Sequence, residues 1–301
     1  MKKYLELIRI KHWIKNILIF VPIVCAKKVT SSNLLLTILG FFAFSFVSSF
    51  IYIINDIRDI ESDKLHPRKK ERPLPSGKIT INFAIIISLL MIIAALILNS
   101  IINKGVINIS ILILLIYVIF NILYSFGMKN VEILDILLLA SGFVLRVYYG
   151  ASILDIKVSN WLFLTVMSAS FFLGLGKRKN EIINNKNSRR VLEKYNKEFL
   201  DKFQYVCLGL TLVFYSLWAK EQESSYIIYT VPIIIAIFMR YSLIIEKQNE
   251  GDPTTILYSD KFLLITCVLY TIIIILLMTV IWWISTISIK QYMMVIQPSI
   301  S

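Results

Sequence analysis

Cysteine is nearly absent from the 301 residues: Cys25, Cys207 and Cys267 lie far apart, in or beside apolar stretches. Their spacing supports neither a disulfide framework nor a zinc site, so they read as packing residues. The two histidines, His12 and His66, also lack metal-ligand spacing and read as structural or loop residues. No long linker interrupts the chain, which argues for one integral domain over 1–301. The basic stretch Met1 to Lys15 is not followed by a small-residue cleavage site and a polar mature region, so the first apolar segment is expected to be retained. Acidic residues are few, 19 against 32 lysines and arginines, giving a net charge of +13. In a water-soluble protein that excess would suggest a nucleic-acid partner. Here most cations fall between apolar runs, where membrane topology accounts for them, and no nucleic-acid partner is expected.

Apolar residues dominate instead, at 57% of the chain with a mean hydropathy of +0.73. Runs close to the ~20 residues needed to cross a bilayer recur from end to end. They predict an all-α, polytopic transmembrane helical bundle of about nine spans, placed at 14–27, 34–54, 79–99, 106–124, 132–151, 159–176, 203–219, 226–245 and 262–286. The first span is short and is interrupted by Pro22. With the N-terminus in the cytoplasm, one side receives Arg58, Lys64, Arg68, Lys69, Lys70, Arg72, Lys78, Lys129 and the basic set from Lys177 to Lys202. The other receives Lys27, Lys28, Lys104, Lys157 and Lys220, with Lys290 in the tail. The positive-inside rule then orients the chain in the cell membrane, with active-site loops at about 55–78 and 177–202 on the cytoplasmic side. The four-helix offset between these loops hints at an internal pseudo-repeat.

The most informative stretch is Asn55-Asp56-Ile57-Arg58-Asp59-Ile60-Glu61-Ser62-Asp63, where an apolar run meets the expected cytoplasmic side. A continuous helix would place Tyr52, Asn55, Asp56, Asp59 and Asp63 within roughly a 100° arc. Carboxylates that close repel one another, and a divalent cation neutralises them; hard oxygen donors of this kind suit Mg²⁺. A solvated helix end whose acids pair with neighbouring cations is the competing reading. Downstream, His66-Pro67-Arg68-Lys69-Lys70-Glu71-Arg72-Pro73 sets cations on a proline-restricted backbone, suited to the outer oxygens of a metal-bound diphosphate. Lys69 and Arg72 are the candidate contacts, against the alternative that the loop is basic for topology alone. Arg146 sits inside an apolar run, where a charge is costly and functional by default. It is expected to face a polar cavity and a phosphate, or else to join an interhelical salt bridge or a carbonyl contact. A direct pair with Asp135, eleven residues earlier and roughly 16 Å along the axis, is not expected.

The run NDIRDIESD followed by HPRKKERPLPSG resembles the first aspartate-rich motif, NDxxDxxxD, of the UbiA superfamily of intramembrane prenyltransferases. Asn55, Asp56, Asp59 and Asp63 match it without departure. The resemblance implies a helical bundle of about nine spans with a Mg²⁺-diphosphate held at this motif. Further pieces are similar to the decaprenyl-phosphate phosphoribosyltransferase branch of the superfamily: Arg9 to Asn16, Tyr124 to Lys129, Leu134-Asp135 through Gly142 to Arg146, Gly176-Lys177-Arg178, and Gly251-Asp252-Pro253 with Asp260. Ordinary prenyltransferases carry a second aspartate-rich motif after the sixth span, where this chain has Gly174-Leu175-Gly176-Lys177-Arg178-Lys179-Asn180-Glu181. Cations there suit a phosphate monoester better than another metal, unless they too serve topology.

The resemblance thus implies transfer of 5-phosphoribose from phosphoribosyl pyrophosphate to a polyprenyl phosphate, with release of pyrophosphate. Asn55 and Asp59 would hold Mg²⁺, and Asp56 and Asp63 would serve as ligands or as supports for ligands. Lys15, Tyr52, Lys69, Lys129 and Arg146 would position donor phosphates, with Arg72, Lys177 and Arg178 as further substrate contacts. No catalytic base is expected, because a phosphate monoester is already anionic at neutral pH. A superfamily prenyltransferase acting on an aromatic or other small acceptor is one alternative, and a transporter lined by Arg146 is another. Acceptor chain length and oligomeric state, a homo-oligomer included, are left open.

Overall fold

The computed structural model describes residues 2–65, 69–103, 105, 108–183, 190–222, 224–247 and 252–280. His66, Arg68, Lys104, Lys186, Gly251, Lys290 and the end of the expected span 262–286 lie outside the described residues. Among those described, every regular element is helical. The chain divides into two compact units, one formed by 1–22, 30–157 and 188–195 and the other by 23–29, 158–187 and 196–301.

In the first unit, α1 (Lys2–Leu7) precedes a 3-10 helix over Ile10–Phe20, and Arg9 between them adopts the left-handed region at φ 51. α2 (Val21–Cys25) has residues in both units. Then come α3 (Ser31–Arg58), α4 (Ile60–Lys64), α5 (Ile81–Asn103), α6 (Ile109–Ser125) and α7 (Leu134–Ile153). Phe44, Val47 and Ile51 of α3 form the core with Ile19, Ala95, Leu114, Tyr117 and Tyr149. The 3-10 helix lies close on α7 because Gly150 has no side chain; a β-carbon there would collide with the Ile19 carbonyl. On α5, by contrast, Ile86, Leu89, Leu90, Ile93, Ile97 and Ile101 stay more than half exposed, as befits a face toward lipid.

The second unit contains α8 (Asn160–Ile183), α9 (Lys197–Glu221), α10 (Val231–Lys247), α11 (Pro253–Ser259) and α12 (Lys261–Ile275). Phe172 of α8 packs with Tyr241, Ile244 and Ile245 of α10, Ile256 of α11 and Leu263 of α12.

Among the described residues, five helical stretches are long and apolar enough to cross a membrane: Ser31–Arg58, Ile81–Asn103, Leu134–Ile153, Ser225–Glu246 and Lys261–Thr279, and a shorter apolar helix covers Ile109–Ser125. The protein is a membrane protein. The first expected span differs most from the structure. The run 14–27 is divided between the 3-10 helix and α2, followed by a turn in which Lys27 has φ 55.

Candidate active site

With 28 residues, α3 is about 42 Å long, against a hydrocarbon core of ~30 Å. Its length exceeds that layer, and its last, most polar turns carry Tyr52, Asn55 and Asp56. The helix does not run straight through the acidic motif. Asp59 closes α3 at φ −92 and ψ 9, and α4 starts at the next residue. Hydrogen bonds nevertheless bridge the bend, from Asp59 N to the Asn55 carbonyl at 3.0 Å and from Asp63 N to the Asp59 carbonyl at 2.8 Å. The motif thus stays on one winding backbone.

Two of its carboxylates are buried and matched by cations. Asp56, 5% exposed, is bound by Arg9 and lies 3.2 Å from an Arg72 nitrogen. Asp63, 2% exposed, receives the same Arg72 nitrogen at 2.8 Å and has Lys69 Nζ at 3.5 Å. The cations expected to meet a diphosphate thus hold the motif's own acids. The half-buried Asp59 has no ion pair among the described residues, and Asn55 accepts a 2.6 Å hydrogen bond from Ser125 Oγ. Arg58 extends the link by donating to the Ser125 carbonyl and lying 4.6 Å from the Phe126 ring.

The 3-10 helix forms the cationic wall. With three residues per turn, side chains three apart eclipse, so His12 and Lys15 share an edge, preceded by Arg9 at the left-handed N-cap, while Trp13 and Asn16 share another. The first edge faces Tyr52: the Arg9 guanidinium is 4.8 Å from that ring and the His12 ring 5.5 Å. Lys15, Tyr117 and Arg146 are within electrostatic reach of Tyr52 as well. The second edge is bolted to α3, Trp13 to Ser49 Oγ at 3.0 Å and Asn16 to Ser45 Oγ at 2.9 Å.

Arg146 is buried on α7 with protein acceptors on all three nitrogens: Asn16 Oδ1 at 2.7 Å, the Gly142 carbonyl at 2.5 Å and Tyr117 Oη at 3.1 Å. The rings of Phe44 and Tyr117 lie 5.2 Å from its guanidinium. Hydrogen bonds and ring faces, with no carboxylate among the described residues, are what offset the burial of this charge. Asp135 is engaged elsewhere, by Tyr195 Oη at 2.7 Å.

Lys129, half-buried, sits on a 3-10 turn over Met128–Asn130 between α6 and α7. Lys177 and Arg178 belong to the second unit. Lys177 Nζ is 4.0 Å from Asp252, and the wholly buried Arg178 is paired with Glu181 at 2.7 Å. Lys179 lies beside them against Asp201 at 2.5 Å and Glu246 at 3.3 Å. Burial opposes its charge, yet these two carboxylates hold its pKa above the ordinary lysine value. Sequence reasoning gave no role to Arg9, Asn16, Tyr117, Ser125 or Tyr195. No periodic signal could have found Arg9, which stands outside the 3-10 helix in a left-handed conformation and meets Asp56 and Tyr52 only through the tertiary fold.

The donors at the motif suit a hard cation. Carboxamide and carboxylate oxygens are the ligands Mg²⁺ takes, and it completes its shell with water and substrate phosphate instead of a full protein cage. The described residues contain no cluster of three or more His, Cys, Asp or Glu side chains able to enclose a metal alone.

The UbiA prenyltransferase family model matches residues 17–266. The chain belongs to this family. Among relatives of this UbiA protein is a decaprenyl-phosphate phosphoribosyltransferase of Corynebacterium glutamicum, 28% identical over 273 residues, covering 86% of this chain and 81% of the relative. Another of that name from Mycolicibacterium smegmatis is 28% identical over 281 residues, covering 86% and 87%. A solved UbiA homologue from Archaeoglobus fulgidus, described as bound to GPP and Mg²⁺, superposes with a TM-score of 0.69 at 21% identity, over 91% of this chain and 99% of that one. That likeness establishes the UbiA fold.

Proposed function

We propose that the protein transfers 5-phosphoribose from phosphoribosyl pyrophosphate to a polyprenyl phosphate of the decaprenyl type, releasing pyrophosphate. The observation that carries this reading is the cationic wall around the acidic end of α3: Arg9, Lys69 and Arg72 on the acids, and Lys15 and Arg146 around Tyr52. Such a surplus of positive charge beside Asn55 and Asp59 suits a donor with several phosphates. The two relatives, each matched over most of its length and named for phosphoribosyl transfer to decaprenyl phosphate, support the same transferred group and acceptor. So does the basic sequence Gly176-Lys177-Arg178-Lys179, in the place where prenyltransferases that use two metal clusters are acidic.

In this reading Asn55 and Asp59 hold Mg²⁺, since Asp56 and Asp63 already serve Arg9, Arg72 and Lys69. When bound, the metal neutralises charge on the leaving diphosphate. Lys15, Lys69, Arg72 and Lys129 orient donor phosphates, and the Tyr52 hydroxyl fixes the donor at the membrane edge. Arg146 fixes Asn16 and Tyr117, and its two N–H groups not used by those partners and Gly142 are available to a substrate oxygen. Lys177 is assigned to the acceptor phosphate on the resemblance of Gly176-Lys177-Arg178 alone, while Arg178, paired with Glu181, orders its own turn. An acceptor oxygen attacks the anomeric carbon as its bond to diphosphate breaks, and the developing oxocarbenium charge is met by the oxygens of the two anionic substrates. The lipid tail stays in the bilayer. We assign nine spans to the chain, with the N-terminus and the site in the cytoplasm, on the charge bias of its loops.

Purified protein with Mg²⁺, phosphoribosyl pyrophosphate and a panel of polyprenyl phosphates should form lipid-linked phosphoribose and release pyrophosphate, and a chelator should stop both. Turnover of prenyl diphosphates with small acceptors, and none of phosphoribosyl pyrophosphate, would reject the reading.

A further inference from the structure

The turn joining α6 to α7 contains a backbone conformation ill suited to its residue: Ile133 has φ 67 and ψ −44. A β-branched residue there is a true outlier, and such strain persists only where the surroundings enforce it. Tyr195 enforces it. Its hydroxyl accepts a hydrogen bond from Ile133 N at 2.6 Å and donates one to Asp135 Oδ1 at 2.7 Å. Asp135 is fully buried and Tyr195 is 8% exposed, so water does not replace these bonds freely. Val191, also fully buried, and an ion pair from Lys194 to Glu132 at 2.8 Å seat the stretch that carries Tyr195.

The other end of the turn is tied to the acidic motif through Ser125, which donates to Asn55 and whose carbonyl accepts from Arg58. Between the two ties lie Gly127 at φ 136 and the three-residue 3-10 turn with Lys129. A lysine ammonium on a flexible stem gains precision only from a fixed backbone. Ser125 and Tyr195 supply that from opposite ends.

We propose that Tyr195 is a positioning residue for the donor site, holding Lys129 at the donor phosphates by locking the strained turn at Ile133. The inference rests on the assignment of Lys129 to the donor made above. A merely stabilising Tyr195 predicts less folded protein with an unchanged donor dependence. A positioning Tyr195 predicts a selective defect.

The test is Tyr195→Phe in the full chain in detergent, with Asp135→Asn as a milder variant that keeps an acceptor oxygen for the tyrosine. Hydrogen exchange of the peptide covering residues 126–137 should speed up by at least about ten-fold in Tyr195→Phe, because the variant loses both buried hydrogen bonds of the hydroxyl, the one from Ile133 N and the one to Asp135. The donor KM should rise about ten-fold while the acceptor KM stays within about two-fold, and Asp135→Asn should shift the donor KM in the same direction by less. In a Lys129→Ala background, Tyr195→Phe should change the donor KM no further, because the residue it positions is gone. Unaltered exchange, an unaltered donor KM, or an equal added loss in the Lys129→Ala background would overturn the proposal. If the parent protein uses a prenyl diphosphate instead, the phosphoribosyl reading fails, and the same exchange and donor measurements with that diphosphate still decide the role of Tyr195.

Discussion

Among the four polar residues of the acidic motif, Asp59 is distinguished by its surroundings. Asp56 and Asp63 are buried under Arg9, Arg72 and Lys69, whereas Asp59 sits half-buried at the bend between α3 and α4. Replacing it with asparagine keeps its size and removes the charge, so Asp59→Asn should retain the parent's melting temperature in detergent and lose at least about a hundred-fold in Mg²⁺-dependent turnover. Ordinary Mg²⁺ dependence in that variant would remove Asp59 from the metal site. Arg146 calls for two readouts, because its guanidinium holds Asn16 and Tyr117 from within the core. Arg146→Lys keeps the charge but leaves acceptors unmet, and should destabilise by about 1–3 kcal/mol. If its remaining N–H groups also reach the donor, surviving protein will show a higher donor KM with the acceptor KM unchanged. A stability loss alone would make Arg146 a purely structural arginine.

The element on which the site most depends is the 3-10 helix over Ile10–Phe20. Its eleven residues are far more than the three or four usual for this geometry, and tertiary contacts hold it: Trp13 and Asn16 bind α3, and Gly150 admits its backbone against α7. A methyl group at Gly150 would press on the Ile19 carbonyl, which is backbone and cannot swing aside. Gly150→Ala should therefore lower stability by about 1–3 kcal/mol. It should also raise the donor KM, since Arg9 and Lys15 move with the helix. Thermal melting and steady-state kinetics on the same preparation check both outcomes, and wild-type values for the two would detach this helix from the site.

At the scale of the whole molecule, the charge bias of the loops predicts that cysteines introduced at Lys70 and Lys197 are labelled from the cytoplasmic side and those at Lys157 and Lys220 from the other. The experiment requires a background without Cys25, Cys207 and Cys267, all of them partly buried. Labelling of Lys70 and Lys197 positions from outside would invert the assigned topology and place the acidic motif away from cytoplasmic phosphoribosyl pyrophosphate.

The sequence by itself determined the solvent, the helical class and the acidic motif. Apolar runs of membrane length and loop cations are local properties, and Asn55, Asp56, Asp59 and Asp63 lie within a few turns of one backbone. Tyr52 was legible for the same reason, being on the helix that carries the motif. Only the tertiary structure decided how those acids are employed. Arg9 and Arg72 are far from Asp56 in sequence or across a bend, and the choice of partner depends on where the chain returns. It also decided that Arg146 is held by an asparagine, a carbonyl and a tyrosine, because burial in an apolar run demands compensation without specifying which helix provides it. The Tyr195 contacts were beyond sequence reading for a further physical reason. A strained isoleucine is unfavourable by local rules, and Ile133 adopts that conformation only because a hydroxyl 62 residues later meets its amide.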